Sequence, residues 1–326
     1  MSICIRELTH IYSEGLPYQS IALDSVSFDI LDGELAGIIG HTGSGKSTLV
    51  QHLNGLLKPK SGSIVINGVD ITKGDIPMRD IRRKVGLVFQ YPEYQLFEEN
   101  VYKDVAFGPL NLGLPVDETD KCVREAIGLV GLDFSEISER SPFELSGGQK
   151  RRVAIAGVIS MKPEVLILDE PTAGLDPKQI LEIRDLITEL GKDHTVILSS
   201  HILPEVSAVC KRVLIINRGA IIADDTPENL AQRLLGGSHI LLRVDGTEEK
   251  ISQALGKISS IKKLEFKESQ ETGTTELIAE ASNDEDIRRD IFKSLASANL
   301  SILMMRSQDM SLEEIFLNLT TEEAKA

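Results

Sequence analysis

Leu35-Ala36-Gly37-Ile38-Ile39-Gly40-His41-Thr42-Gly43-Ser44-Gly45-Lys46-Ser47-Thr48 is the stretch that decides the fold. Its first five residues are an apolar run that ends at a glycine, as a strand buried on both faces of a parallel sheet does. Residues 40–47 then match G-x-x-x-x-G-K-[ST], and Thr48-Leu49-Val50-Gln51 continues as a helix. A strand before and a helix after are the setting this phosphate-binding motif requires. Glycines let backbone N–H groups curl round phosphates, and a helix N-terminus adds a favourable dipole. Lys46 is placed to neutralise β- and γ-phosphates, and the Ser47 hydroxyl to ligate Mg2+. The competing reading, a glycine-rich turn with a chance lysine, leaves the flanking strand and helix unexplained.

Outward from this loop, buried-strand patterns recur at Val85–Phe89, Val165–Leu168 and Thr195–Ser199, separated by helical patterns such as Gly147–Ser160 and Gln179–Leu190. Strands alternating with helices predict an α/β fold around a mainly parallel sheet. Residues 3–9 and 21–30 alternate apolar and polar, which predicts half-buried strands. Residues 91–162 change character, being mostly helical and punctuated by Pro92, Pro109, Pro115 and Pro142, and read as a helical insertion. Gly236-Gly237-Ser238 marks a seam, giving domains at 1–235 and 238–326. Beyond it the order strand, helix, strand, strand, helix, strand predicts an α+β ferredoxin-like unit. Ser311-Leu312-Glu313-Glu314 then offers a capping box for a last helix. The plain reading of this tail is a packing or dimerisation module.

The 326 residues allow about two domains. A formal net charge of −15 excludes the basic footprint of a nucleic-acid binder. No apolar run approaches the ~18 residues of a membrane span, and Arg6, Glu7 and His10 interrupt any signal-peptide core. Cys4, Cys122 and Cys210 are far apart and odd in number, so neither a disulfide framework nor a zinc site is expected. These features together predict a soluble protein of a reducing cytosol.

Two further strings carry chemistry. Val165-Leu166-Ile167-Leu168-Asp169-Glu170 is an apolar strand ending in two carboxylates, Asp169 suited to hold Mg2+ and Glu170 to polarise an attacking water. Acidic residues at a strand end are common by themselves; behind a phosphate loop they read as catalytic. Leu145-Ser146-Gly147-Gly148-Gln149 opens a helix read as amphipathic through Val153, Ile155, Ala156 and Ile159. Ser146 can cap this helix or donate to a phosphate, with bare glycine N–H groups beside it.

With LSGGQ in place, residues 1–230 resemble the ATP-binding-cassette (ABC) ATPases. Gln90 after a strand, Gly174-Leu175-Asp176-Pro177 beyond the carboxylates and His201 after another strand follow in the family's order. Tyr12 stands where the family places an adenine-stacking aromatic. Singly, Gln90 and His201 read as a structural amide and a satisfied histidine, and Tyr12 as a core aromatic. The resemblance implies ATP and Mg2+ as ligands. ATP would lie on Tyr12, Gly40, His41, Thr42, Gly43, Ser44, Gly45, Lys46, Ser47 and Thr48, and Mg2+ on Ser47, Gln90 and Asp169. Glu170, His201 and Gln90 would be catalytic. Two such domains would pair head to tail as a homo- or heterodimer, Ser146, Gly147, Gly148, Gln149 and Asp176 of one completing the site of the other.

Within the family the helical insertion meets an integral membrane subunit. Here Phe89-Gln90-Tyr91-Pro92-Glu93-Tyr94-Gln95-Leu96-Phe97, Val105–Pro109 and Pro142–Ala156 are similar to the ATPases of energy-coupling-factor (ECF) importers of vitamins and transition-metal ions. The resemblance implies a peripheral protein on the cytoplasmic face of the membrane, docked through residues 91–144. After Pro177, Ser199–Val206, Asn217-Arg218-Gly219 and Ser311–Phe316 look more like ABC-2 type exporter ATPases; Ile202 stands where ECF ATPases usually carry Asp. Three readings follow: an ECF importer ATPase, resting on the insertion; an ABC-2 drug or lipid exporter ATPase, resting on the tail; and a non-transport ABC ATPase. The last lacks its usual tandem cassettes, long coiled coils or basic patches here.

Overall fold

The computed structural model describes residues 3–74, 77–235, 239–267, 271, 273–282, 286–307 and 312–322. They fall into two compact units, Met1–Asp225 and Thr226–Ala326. The first contains two sheets. Strands β1 (Ile3–Tyr12), β2 (Ser20–Ile30), β4 (Ser61–Ile66) and β5 (Val69–Asp70) form an antiparallel sheet in the order β2-β1-β4-β5. The other sheet holds β3 (Leu35–Ile39), β6 (Val85–Val88), β7 (Val165–Asp169), β8 (Thr195–Ser200), β9 (Arg212–Asn217) and β10 (Ala220–Asp225). Its order is β10-β9-β3-β8-β7-β6, parallel throughout except at the β10 edge. Helix α1 (Lys46–Leu53) contacts β2, β7 and β8, so it fills the space between the sheets. Leu49, Val50 and Leu53 join Ile5, Leu8, Ile38, Ile64, Ile167 and Leu214 in one buried core. The continuous apolar runs of β3, β7 and β8 are explained by this burial on both faces.

Helix α2 (Met78–Lys84) leads into β6, and the expected insertion follows: α3 (Val101–Asn111), α4 (Val116–Leu129), α5 (Phe134–Ile137) and α6 (Gly147–Ile159). Pro92 and Pro142 open 3-10 turns and Pro115 precedes α4, as punctuation should. Pro109 does not punctuate; it lies inside α3. A proline has no N–H for the carbonyl four residues back, and here the Ser160 hydroxyl donates to that carbonyl, Val105 O, at 3.0 Å. Nor is α6 amphipathic in the expected sense. It packs against α3, α4, β6 and the Pro92–Gln95 turn, so it buries Arg151 along with Val153, Ile155 and Ile159.

Helices α7 (Pro177–Leu190) and α8 (Leu203–Val209) complete the first unit. The second begins with α9 (Pro227–Leu235), which packs on the last helix, α12 (Leu312–Glu322), so the division falls before the expected seam. Gly236-Gly237-Ser238 and the Ser311 cap lie outside the described residues. Between them run β11 (His239–Asp245), α10 (Glu248–Leu255), β12 (Ile261–Lys267), β13 (Thr274–Ala281), α11 (Arg288–Ser297) and β14 (Ser301–Ser307). The sheet order β12-β13-β11-β14, antiparallel at every pair, is the ferredoxin-like arrangement expected from the element order. Ile240, Leu242, Val244, Leu277, Ile291 and Leu295 form its core.

Candidate functional site

Because β3, β6, β7 and β8 are parallel, their C-terminal ends share one edge of the sheet, the usual place for a ligand in such a fold. The phosphate-loop residues leave β3 there. Gly45 has φ +112°, and a Cβ on it would stand 2.5 Å from Ala22 O, so both the turn and the close approach require glycine. It also caps α1 without any side-chain hydrogen bond, which leaves the first-turn N–H groups of that helix for an anion. Ser44 Oγ is buried in the loop without a hydrogen-bond partner among the described residues, an orphan that a phosphate oxygen would satisfy.

Lys46 donates from Nζ to Gly40 O at 2.7 Å and His41 O at 3.2 Å, and lies 3.7 Å from Glu170 Oε1. Burial lowers its pKa, and the nearby Glu170 and Asp169 charges oppose that shift. Burial pushes the Asp169 carboxyl up, while hydroxyls of Ser199 (2.5 Å) and Ser47 donate to it and pull it down. A serine hydroxyl and a carboxylate in contact are hard oxygen donors that fit Mg2+. Gln90 leaves β6 at the level of Glu170, since Val88 pairs with Leu168.

Glu170 sits at φ +50°, in the left-handed region that costs a non-glycine residue strain. Its own N–H donates to Ser199 O at 2.9 Å, which holds the strained turn. Three donors converge on Oε2: Ser200 Oγ at 3.3 Å, the His201 N–H at 3.3 Å and His201 Nδ1 at 2.7 Å. Oε1 lies on the Lys46 side, 3.7 Å from its Nζ. Ser199 and Ser200 escaped sequence reasoning. The signal was there only in the strand order, because β8 lies between β3 and β7 and inserts its serines beside both carboxylates.

Tyr12 is half exposed and its hydroxyl lies 3.3 Å from Thr48 Oγ1, which places the expected base-stacking aromatic beside α1. Behind it runs a ladder of edge-on rings, Tyr12 to His10 at 4.5 Å and His10 to His52 at 4.7 Å. His52 is fully buried, and neither ring nitrogen finds a well-formed hydrogen bond among the described residues. Burial first, then the His10 neighbour, push its pKa from 6.5 down to about 4, against a weaker pull from the Leu57 backbone. The native state therefore keeps His52 neutral while the unfolded chain takes up a proton below pH 6.5. Stability falls as pH drops from 6.5 towards 4, by about 3 kcal/mol from this group. His52→Phe is expected to remove most of that acid sensitivity; urea melts at pH 7 and pH 4.5 measure it, and equal losses in both proteins would refute the assignment.

The signature residues form a second cluster. Ser146 Oγ accepts from the Gln149 N–H at 3.3 Å and Gln149 Oε1 accepts from the Ser146 N–H at 3.1 Å, a reciprocal capping box. Asp176 caps α7 in turn, accepting from the Gln179 N–H at 2.9 Å. Gly148 lies against the side chain of Gln179, in the first turn of the helix that Asp176 caps, and Ser146, Gly148, Gln149 and Gln179 line a cavity of about 520 Å3. Among the described residues, no hydrogen bond or ion pair joins this cluster to Lys46, Asp169 or Glu170. The phosphate-loop residues and the Ser146–Gln149 cap are thus two separately bonded groups among the described residues.

Residues 23–173 match the ABC transporter family model. The energy-coupling factor transporter ATP-binding protein EcfA2 of Clostridium tetani is 56% identical over 232 residues, covering 71% of this chain and 81% of that protein. The protein of the same description from Clostridioides difficile is 57% identical over 232 residues with the same coverage. Among solved structures, cbiO1 from Clostridium perfringens, part of the ABC transporter complex cbiONQ, superposes with TM-score 0.64 at 39% identity, covering 72% of this chain and 92% of that one. The cassette MJ0796, a dimer bound to ADP and Pi, gives TM-score 0.61 at 27% identity, covering 69% and 98%. An alignment of 232 residues is longer than the 177 that precede the expected change of character, so the likeness runs past Pro177. The exporter-like origin expected for the later segment finds no support in these relatives. Since they match across four-fifths of their own length at more than half identity, this chain belongs to the energy-coupling factor transporter ATP-binding proteins of the ABC transporter family, ATPases whose hydrolysis is coupled to transport.

Proposed function

We propose that this chain powers an ECF-type importer of vitamins or transition-metal ions from the cytoplasmic face of the membrane, as one of two ATPases in a head-to-tail homo- or heterodimer. The observation that supports the pairing is that, among the described residues, no hydrogen bond or ion pair joins the phosphate loop and its carboxylates to the capped signature helix. Lys46 and the free N–H groups of α1 hold the phosphates of ATP, and Tyr12 stacks on its base. Mg2+, held by Ser47, Asp169 and Gln90, would spread the charge of the β- and γ-phosphates. Glu170 receives a proton from the attacking water at Oε1 while its Oε2 stays anchored by Ser200 and His201. Ser146, Gly148 and Asp176 close over the nucleotide of the partner.

The helical insertion supplies the docking surface for an integral membrane subunit. Tyr94 is 83% and Phe97 56% exposed, whereas Leu96 is buried and belongs to the core of the insertion. Phe97 stacks edge-on against Phe107 at 4.9 Å, and both line a groove of about 760 Å3 with Arg79, Arg82 and Met161. Exposed aromatics beside a groove are the kind of anchor whose truncation costs about 2 kcal/mol or more in an interface. Replacing Tyr94 and Phe97 by Ala is therefore expected to abolish co-purification with the membrane component while ATP binding survives. Retention of the complex by that variant, with loss on removing the tail, would refute this docking surface. No described helix is long and apolar enough to cross a membrane, which suits a peripheral subunit.

A further inference from the structure

Arg151 is the bulkiest side chain to be completely enclosed, 1% exposed, and neither the phosphate loop nor the signature uses it. A buried guanidinium must find partners for its five donors, and those it finds come from two separate parts of the chain. Nε and Nη2 form a fork onto Glu93, at 3.1 Å to Oε2 and 2.9 Å to Oε1. Nη1 donates to two main-chain carbonyls, Pro171 O and Ala173 O, both at 2.8 Å. Arg151 itself belongs to the second turn of α6, the helix that begins with the signature. One planar group thus joins the turn after Gln90, the signature helix and the turn that leaves Glu170.

Two further contacts close the same junction. Tyr91, next to Gln90, has φ +56°, and its ring sits 3.3 Å from where a Cβ on Gly174 would stand. Any side chain at residue 174 would press on that ring, and its φ of +77° also suits glycine. The Arg151 guanidinium lies 5.9 Å from the centre of the Tyr91 ring. The Thr172 hydroxyl also donates to the buried carboxyl of Glu205 in α8, the helix that begins two residues after His201. Residues 171–174 are therefore clamped between Arg151 and Glu205, with Glu170 at one end of the clamp and Asp176 just past the other.

We propose that Arg151 is a positioning residue for hydrolysis. Through Glu93 it registers where the turn after Gln90 stands, and through the Pro171 and Ala173 carbonyls it sets the strained turn that aims Glu170. Because the same side chain is carried by the signature helix, movement of the helical insertion and the aim of the carboxylate change together. Lysine cannot replace it, since one ammonium cannot span a carboxylate and two carbonyls in a fixed fork. Among the described residues, Arg151 makes no hydrogen bond to the phosphate loop.

The test uses the full chain and compares Glu93→Gln, Arg151→Lys and the double variant Arg151→Met/Glu93→Leu with wild type. Each is measured for ATP affinity, kcat, KM and melting temperature. Exchanging a buried ion pair for apolar side chains of similar size often spares stability, so the double variant separates aim from folding. A misaimed catalytic group costs up to about 100-fold. The expected result is kcat lowered by about 10- to 100-fold in the double variant and in Arg151→Lys, with a smaller loss in Glu93→Gln. ATP affinity and KM should stay within about twofold of wild type. Wild-type kcat in the double variant and in Glu93→Gln, or a loss that follows the unfolded fraction, would make Arg151 a packing residue and overturn the proposal. Glu93→Gln alters only the partly exposed end of the pair, so it remains informative where the buried variants fail to fold. The proposal rests on Glu170 as the hydrolytic carboxylate. Glu170→Gln measured alongside keeps the two apart, because normal turnover in that variant would refute the site reading whatever Arg151 does.

Discussion

Glu170→Gln is expected to bind ATP and hydrolyse it at least about 100-fold more slowly than wild type, the lower end of what a positioned general base contributes. The amide can still accept hydrogen bonds from Ser200 Oγ and the His201 N–H, so the turn at Glu170 should keep its shape. What it loses is the charge at Oε1, the oxygen beside Lys46 that the convergence of three donors on Oε2 leaves over. With hydrolysis blocked and both clusters intact, the variant should accumulate as an ATP-stabilised dimer. Single-turnover hydrolysis and sedimentation with and without ATP are the measurements. Near-normal turnover would show that the proton goes elsewhere; slow turnover without a dimer would instead place the fault in the pairing of the two halves.

Lys46→Ala should act one step earlier, on binding itself. A hydrogen bond to a charged group is worth about 1.5–3 kcal/mol, so loss of this ammonium from the phosphates corresponds to roughly 10- to 100-fold weaker ATP affinity. The effect is sharpened by the neighbours. Lys46 is the cation whose charge opposes the burial-driven rise of the Asp169 pKa. Without it, Asp169 and Glu170 would face the triphosphate with less positive charge between them. Calorimetry with Mg2+ present measures the affinity, and an unchanged value would count against the phosphate assignment.

The parts of this site that could be read directly from the chain are those that act through consecutive residues. A phosphate is held by successive backbone N–H groups, so Gly40–Ser47 announces itself in one string, and so does the cap of a helix at Ser146–Gln149. Buried parallel strands announce themselves as well, because burial on both faces leaves an unbroken apolar run, as in Val165–Leu168. The tail was legible for a different reason: the order of its elements already implies its antiparallel sheet.

Tertiary structure alone supplied whatever depends on which strand lies beside which. Nothing local says that β8 separates β3 from β7, yet that order is what delivers Ser199, Ser200 and His201 to Asp169 and Glu170. The same holds for Pro109, tolerated within α3 because Ser160 of a neighbouring helix satisfies the freed carbonyl, and for Leu96, buried where Tyr94 and Phe97 are not. It holds most of all for Arg151, which in the string Lys150-Arg151-Arg152 looks like one solvated cation among three. Its place at the junction of Glu93, Pro171 and Ala173 follows from the covering of α6 on several sides, which forces a charge indoors and obliges it to find partners far along the chain.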